Sequence, residues 1–426
     1  MIIELFKQIT KIPRCSGTHE PFITYMYNFS KKYNYICKID NANNILCYKK
    51  NSKSTICLQS HYDIVCLKEN TIPKIYEKDN FLYAKDSTLG ADNGIGCAYM
   101  LALMSQNKDC EYLFTCDEEI GLIGANNISL DIKSPNMLNL DSEKMGEVCI
   151  GCAGGIDIFA NTKKSELLKN TNNKILYEIE ISGLDGGHSG VDINKNIPNA
   201  FKLLSETINT FDDVELLDIN GGERINSIPK YAKAIILSTT KKYESKKYTK
   251  ISKIDDACEH YKALDKNILH FISNLKNGVL KYDQKLDVVI DSINLALITT
   301  STNGVDITLS ARSMDNNNLS LISSKTIKDL KDLSFNTSTQ GKYPAWKPNT
   351  NEFTNIVLKK YKKYFDNSSL YAIHAGLECA IFKQKFPFLN IASIGPDINF
   401  PHSNRENCDI NSVNKVFEIL KEIIKK

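Results

Sequence analysis

Three consecutive acids, Asp117, Glu118 and Glu119, close an apolar run at Leu113 and Phe114 and lead into the glycine-punctuated segment I-G-L-I-G-A. Such a stretch reads as a strand delivering carboxylates to its C-terminal end, where open α/β sheets carry their chemistry. Neighbouring side chains of an extended segment point in opposite directions, so Glu118 and Glu119 can take different tasks, one holding a cation and the other moving protons. A solvated acidic turn explains the same residues, and two adjacent glutamates do not decide between the readings. Residues 55–59 form a second apolar run that ends in S-H-Y-D, where period-two alternation sets His61 and Asp63 on one side of the chain, as suits a ligating imidazole backed by a carboxylate. In L-G-A-D-N-G-I-G the glycines allow tight backbone around Asp92, at the start of an apolar helix over 95–103; a plain helix N-cap is the alternative. The same segment lacks G-K-[ST] and does not match G-x-G-x-x-G, which excludes a phosphate loop and a dinucleotide fingerprint. Residues 136–140 read as a further strand, ending in Asp141, Ser142 and Glu143. Three strands ending near residues 60, 115 and 140 thus bring imidazole or carboxylate to one edge of one sheet, and this convergence says more than any single motif.

The elements that must position these groups follow from periodicity. Residues 3–12 and 21–33 have helical spacing, the second with a start signal in Thr18 and Pro21, and 35–39 and 45–48 read as short strands. From Lys174 the pattern changes. Residues 175–181 alternate like a half-exposed strand, G-L-D-G-G-H-S-G turns sharply around His188, and 199–210 is amphipathic. A polar, lysine-rich connection over 241–253 precedes a strand at 307–312 and a helix at 319–333. The mixture predicts a small α+β insert, with one face of its sheet exposed, over 176–337. The first domain, 1–175, then resumes over 338–426 with a helix near 354–365 and a strand at 389–394. No repeat, coiled coil or low-complexity domain is visible.

At 426 residues, 42% hydrophobic and 24% charged, the chain has an ordinary globular composition with room for two domains. A net charge of +3, from 53 basic and 50 acidic residues, creates no field that would draw nucleic acid or an anionic membrane. The N-terminus lacks the order of a signal peptide and no stretch approaches a membrane span, which predicts a cytoplasmic protein. Thirteen cysteines scattered through apolar positions fit reduced thiols rather than a disulfide framework. Cys149 and Cys152 form a C-x-x-C without a second pair or a thioredoxin-like setting, and read as structural thiols. Only four residues are Arg; each can mark a site that needs a planar, bidentate clamp, or be a chance remnant.

In this order S-H-Y-D, L-G-A-D-N-G-I-G, D-E-E-I-G, L-N-L-D-S-E, G-C-A-G-G-I-D, G-G-H-S-G, Y-P-A-W, H-A-G-L-E-C and I-G-P-x-x-x-x-P-H-S resemble the aminoacyl-histidine dipeptidases (Xaa-His dipeptidase, peptidase D) of the cocatalytic-zinc superfamily. The match runs along nearly the whole chain, and G-A-D-N-G with H-A-G-L-E sets this branch apart from tripeptidases and deacylases. The resemblance implies an α/β catalytic domain with a mixed central sheet flanked by helices, interrupted by a lid that also serves dimerisation, and two divalent ions per subunit, Zn²⁺ with Co²⁺ or Mn²⁺ as alternatives. It implies His61 and Asp141 on one ion, Glu119 and His402 on the other, and Asp92 bridging. Asp63 would orient His61, and Glu118 would be the general base for a metal-bridged water. His188, Asn226, Arg312 and Gly376 would meet the substrate, an unblocked dipeptide such as Xaa-His, with His188 supplied across a homodimer. The chain departs from the family in being shorter, around Arg224, and in the N-R-E-N that follows P-H-S. His19, His260, His270 and His374 receive no role. A deacylase of N-acyl amino acids and a non-catalytic scaffold are the competing readings; a scaffold would have no need of Glu118.

Overall fold

The computed structural model describes residues 1–68, 71–163, 173–243, 246–255, 262–302 and 304–425. The chain divides into two compact units. One comprises Met1–Cys152, Trp346–Ala372 and Leu377–Lys426, the other Ala153–Ala345 and Ile373–Gly376.

The first unit is built on an eight-stranded mixed sheet in the order Ile36–Ile39, Ile45–Tyr48, Glu111–Thr115, Ile56–His61, Asn136–Asn139, Asn390–Ser393, Glu147–Cys152, Ser369–Ile373. The four strands from Glu111–Thr115 to Asn390–Ser393 run parallel. Parallel strands are covered on both faces, so their sequences are continuous runs instead of alternating ones. Ile56–His61 and Glu111–Thr115 are accordingly buried at every position. Helix Ala91–Ser105 packs on Ile56–His61 and on helix Ile2–Thr10, and is buried all round from Ile95 to Met104, as an unbroken apolar helix must be. The register pairs His61 with Thr115 and Gln59 with Asn139, which levels the C-terminal ends of three neighbouring strands. Beside that edge Phe22, from helix Glu20–Lys32, stacks on buried Tyr62 with ring centres 4.5 Å apart, a contact of roughly 0.5–1.5 kcal/mol beyond burial. The start of that helix carries no side-chain cap from its N-cap residue, His19, whose ring is engaged elsewhere.

The second unit holds a nine-stranded sheet that runs Thr249–Lys253, Ile175–Ile181, Ala232–Ser238, Glu215–Gly221, Val288–Thr300, Gly304–Ser313, Gly154–Lys163, Asn336–Tyr343, with Gly278–Asp283 also on Val288–Thr300. Its core joins these strands to helices Ala200–Ile208, Asn267–Asn274 and Asn316–Asp332. Two expectations need correction. The insert is longer than 176–337, because Gly154–Lys163 pairs along its whole length with Gly304–Ser313 and also carries Asn336–Tyr343. Its pattern merges with the preceding strand in the sequence, which hid the boundary. Within the expected connection over 241–253, Thr249–Lys253 is an edge strand on Ile175–Ile181; edge lysines disguise it as loop and also discourage pairing with another chain.

The cysteines also depart from expectation at one place. Cys15 and Cys66 are joined by a disulfide across 51 residues. Ile64 N–H donates to Arg14 O at 3.0 Å and Ser16 N–H to Ile64 O at 3.3 Å, a local parallel bridge that sets the two sulfurs side by side and leaves no trace in spacing. Among the described residues the other cysteines, Cys149 and Cys152 included, carry no disulfide. Among the described residues no helix is long and apolar enough to cross a membrane.

Candidate metal centre

The residues that gather at the strand ends of the first unit do so through local devices. Asp92 and Asn93 have non-helical backbone inside the segment Ala91–Ser105. The helix is capped by Asn93, whose Oδ1 accepts Gly96 N–H at 3.1 Å and Ser60 Oγ–H at 2.9 Å. Capping by Asn93 frees the Asp92 carboxylate, so the N-cap alternative for Asp92 is set aside. Asp92 Oδ1 lies 3.1 Å from His61 Nε2, and its Oδ2 lies 2.9 Å from His402 Nε2. Asp141 Oδ1 is 3.3 Å from His61 Nε2, and Glu119 Oε2 is 3.0 Å from His402 Nε2. Two groups of possible ligands result, His61–Asp92–Asp141 and Asp92–Glu119–His402, sharing Asp92; His61, Glu118 and Glu119 form an overlapping third.

Asp63 sits differently from the expected orienting bond. His61 Nδ1 is 3.1 Å from the Asp63 backbone carbonyl, while the Asp63 carboxylate is 3.5 Å away. That carboxylate instead accepts Glu118 N–H at 3.1 Å, Glu119 N–H at 3.4 Å and Ser16 Oγ–H at 2.8 Å. It fixes the acidic turn as well as facing His61. A second clamp holds the same turn, because Asp117 accepts Gly17 N–H at 2.6 Å and lies 2.8 Å from His19 Nε2. His19, left without a role by its sequence, is thus an anchor for the residue before Glu118. His19, Cys116 and Asp117 are close enough to resemble a further cation group, but their polar atoms already pair within the protein, and burial pushes the Cys116 thiol up to about 12. A protonated thiol is a poor ligand.

The electrostatics distinguish the main centre from that decoy. Burial alone would favour neutral His61, yet Asp141, then Asp63 and Asp92, hold its pKa well above the usual value. His402 follows the same logic, with Asp92 and Glu119 overcoming burial to carry it to about 11. Burial and the Asp92 charge push Glu119 up to about 7. Burial, opposed by His61 and reinforced by Asp141 and Glu119, pushes Glu118 well above the carboxylate range. The centre therefore has more negative charge than two imidazoles can neutralise, and Glu119 Oε1 is buried with no hydrogen-bond partner among the described residues. An orphaned buried carboxylate oxygen is costly unless something positive meets it. Imidazole nitrogens and carboxylate oxygens in two groups around one shared aspartate fit a pair of divalent ions such as Zn²⁺, Co²⁺ or Mn²⁺.

Two further polar residues escaped the sequence reading. Asn93 also donates through Nδ2 to Asp141 Oδ1. Glu378, of H-A-G-L-E-C, is fully buried below the strand ends, where its Oε2 accepts Gln59 Nε2–H at 2.6 Å and Thr115 Oγ1–H at 2.8 Å, and burial lifts its carboxyl to about 8. A buried acid inside a helical segment gives no periodic signal, although its place in the motif could have marked it.

The remaining candidates belong to the second unit. His188 Nδ1 accepts Gly190 N–H at 3.1 Å and Val191 N–H at 3.2 Å, which leaves Nε2 as the protonated nitrogen. Burial, with the Arg312 charge, lowers its pKa to about 4, so the ring is neutral near pH 7. Asn226 is exposed, and its backbone carbonyl accepts Ser189 N–H at 2.8 Å. His188, Arg224 and Asn226 line one open hollow of about 360 Å³. Arg312 Nη1 donates to Tyr343 O–H at 2.6 Å, and Gly376 lies against the Tyr343 ring, where an added Cβ would come within 2.8 Å. His374 Nε2 is 2.7 Å from Ser292 Oγ. His270 is tied to Asn274, and His260 lies outside the described residues.

Residues 57–426 match the model of peptidase family M20/M25/M40, and the chain belongs to that family. A cytosol non-specific dipeptidase from Escherichia coli (strain K12) is 30% identical over 470 aligned positions, covering 99% of this chain and 96% of that protein. The crystal structure of an aminoacylhistidine dipeptidase from Vibrio alginolyticus superposes with a TM-score of 0.86 at 27% identity, covering 99% of this chain and 96% of the other. A tripeptidase from Staphylococcus aureus, at 16% identity and a TM-score of 0.59, shares the fold.

Proposed function

We propose that the protein is a metal-dependent dipeptidase that hydrolyses unblocked dipeptides, Xaa-His among them, with His61 and Asp141 on one ion, Glu119 and His402 on the other, and Asp92 between. The observation that carries this reading is the pair of ligand groups sharing Asp92, with the orphaned Glu119 oxygen inside one of them. When bound, two divalent ions supply Lewis acidity and make water nucleophilic at neutral pH. Ionised Glu118 accepts the proton of the attacking water and returns it to the leaving amine, and the burial that raises its pKa strengthens it as a proton acceptor. Asp63 holds the Glu118 and Glu119 amides, so the base and its neighbouring ligand move together.

Arg312 is proposed to bind the substrate carboxylate. One of its guanidinium nitrogens is engaged by Tyr343, while Nε has no partner among the described residues. A planar guanidinium can grip a carboxylate through two parallel bonds, which an ammonium cannot reproduce. The experiment compares free, N-acetylated and C-amidated forms of the same dipeptides on wild type and Arg312→Lys. Hydrolysis should require the free amine, and R312K should raise KM for free dipeptides while changing little for amidated ones. Preference for N-acetyl substrates would show a deacylase, and equal losses on both carboxyl forms would show that Arg312 is structural.

His188 is proposed to stabilise the developing oxyanion from the second subunit of a homodimer. The Nε2–H tautomer and the low pKa support this, because the role needs a neutral donor. His188→Ala should lower turnover by ~10²–10³. Mixed with Glu118→Gln protein and allowed to exchange subunits, it should recover activity, since one heterodimer site would have both groups intact. Absence of recovery despite demonstrated exchange would rule out the arrangement across subunits. The proposed compartment is the cytoplasm, supported by the many cysteines among the described residues that carry no disulfide, with the Cys15–Cys66 bond as the exception.

A further inference from the structure

We propose that Glu406, in the N-R-E-N segment after P-H-S, is a positioning residue that latches the His402 turn to the Asp92 turn and thereby sets both groups for cation binding; this rests on reading Asp92 and His402 as ligands. Glu406 is 2% exposed, and each of its carboxylate oxygens accepts two successive backbone amides. Oε2 takes Leu89 N–H at 2.8 Å and Gly90 N–H at 3.1 Å; Oε1 takes Ala91 N–H at 2.9 Å and Asp92 N–H at 3.3 Å. Amides at the start of a helix have no partner within it, and the irregular backbone at Asp92 and Asn93 extends that deficit. One ionised carboxylate has the acceptor capacity to satisfy all four.

The opposite side of the same turn is held by Arg14, 1% exposed, which donates from Nη1 to Tyr62 O at 2.9 Å and from Nη2 to Gly90 O at 2.8 Å. Arg14 thus grips carbonyls while Glu406 grips amides, and Tyr62 lies between His61 and Asp63. There is little slack in this turn. Gly90 has φ +66°, and a Cβ there would meet Ile64 Cγ2 at 2.9 Å and Arg14 Nη2 at 3.0 Å. On the other side, Glu406 belongs to a compact turn with His402. Ser403 Oγ–H donates to Phe400 O at 2.7 Å, Glu406 N–H donates to Ser403 O at 3.2 Å, and the Arg405 guanidinium lies over the Phe400 ring at 4.6 Å. A shift of the Glu406 carboxylate must therefore move either the Asp92 backbone or the His402 turn.

Glu406→Gln keeps the size of the side chain but turns one acceptor into an NH₂ that faces two amide donors. Glu406→Asp keeps the charge and withdraws it by one methylene. In metal-free protein, hydrogen exchange at the amides of residues 89–92 should quicken by about tenfold or more in E406Q, because those amides lose their acceptor. Zn²⁺ affinity, measured by chelator competition, should fall by about 10–100-fold, as for other groups that orient ligands. Dipeptide turnover should recover when Zn²⁺ is raised to saturation, whereas a merely misfolded variant would not recover. If E406Q does not fold, E406D carries the same three readouts in the same direction. Unchanged exchange at 89–92, or wild-type Zn²⁺ affinity despite faster exchange, would overturn the latch. Wild-type protein that binds no Zn²⁺ would overturn the metal-centre reading instead, and the exchange arm, read on metal-free protein, separates the two failures.

Discussion

Glu118→Gln is expected to keep two ions bound per chain while turnover falls by about 10²–10⁴. The expectation follows from the division of labour at the acidic turn. Glu119 Oε2 faces His402 and its Oε1 is buried without a donor, so Glu119 is committed to the cation group. Glu118 adjoins His61 and Glu119, and burial, opposed by His61 and reinforced by Asp141 and Glu119, raises its pKa, which makes its ionised carboxylate a stronger proton acceptor. An amide at position 118 is nearly isosteric and neutral, so it should leave the folding of the turn intact, since the turn is held through Asp63 and Asp117 and through the backbone of residue 118. Glu119→Ala should show the complementary result, loss of the ion near His402. Metal content measured on both variants beside their turnover checks the assignment; if E118Q loses an ion and E119A does not, the two roles are exchanged.

How much of this was legible before the fold was known depended on whether the signal was local. His61, Asp92, Glu119 and Asp141 each follow an apolar run or a glycine-rich turn, and strand periodicity aims such residues at one sheet edge. His402 had no such support and came only from the resemblance of P-H-S to a known family. Strands at residues 55–59 and 136–140 were legible from their short apolar stretches, Ile56–Leu58 and Met137–Leu138, and the register that makes them parallel came from pairing. The second unit was bounded too tightly because Gly154–Lys163 follows the preceding strand after a single residue, and pairing rather than pattern decides which sheet owns it. What stayed hidden was chiefly polar and long-range. Asn93 takes over the capping that a reader would assign to Asp92, Asp63 gives its carboxylate to backbone amides rather than to His61 alone, and Glu406 serves amides more than three hundred residues earlier in the chain. No spacing rule encodes such bonds, because both partners are single residues in otherwise unremarkable segments. Cys15 and Cys66 illustrate the same limit, since a two-residue parallel bridge is what brings them together.

Removal of metal should have the largest effect of all. Five side chains from five separate segments converge on a region whose negative charge exceeds what its histidines neutralise, and a protein has little reason to maintain that arrangement without cations. In metal-free protein His402, at about 11, is protonated near pH 7, and Glu119, at about 7, is protonated in part. A divalent ion must displace those protons, so affinity should weaken as pH falls and should be tighter at about pH 8 than at about pH 6. The acid loss of activity should therefore be offset by added metal. The most direct test is to strip the protein with a chelator, confirm its metal content, and titrate Zn²⁺ back while following hydrolysis of a free dipeptide. The account predicts no measurable turnover in the stripped protein and recovery that tracks the filling of two sites per chain; full turnover in exhaustively metal-free protein would contradict it.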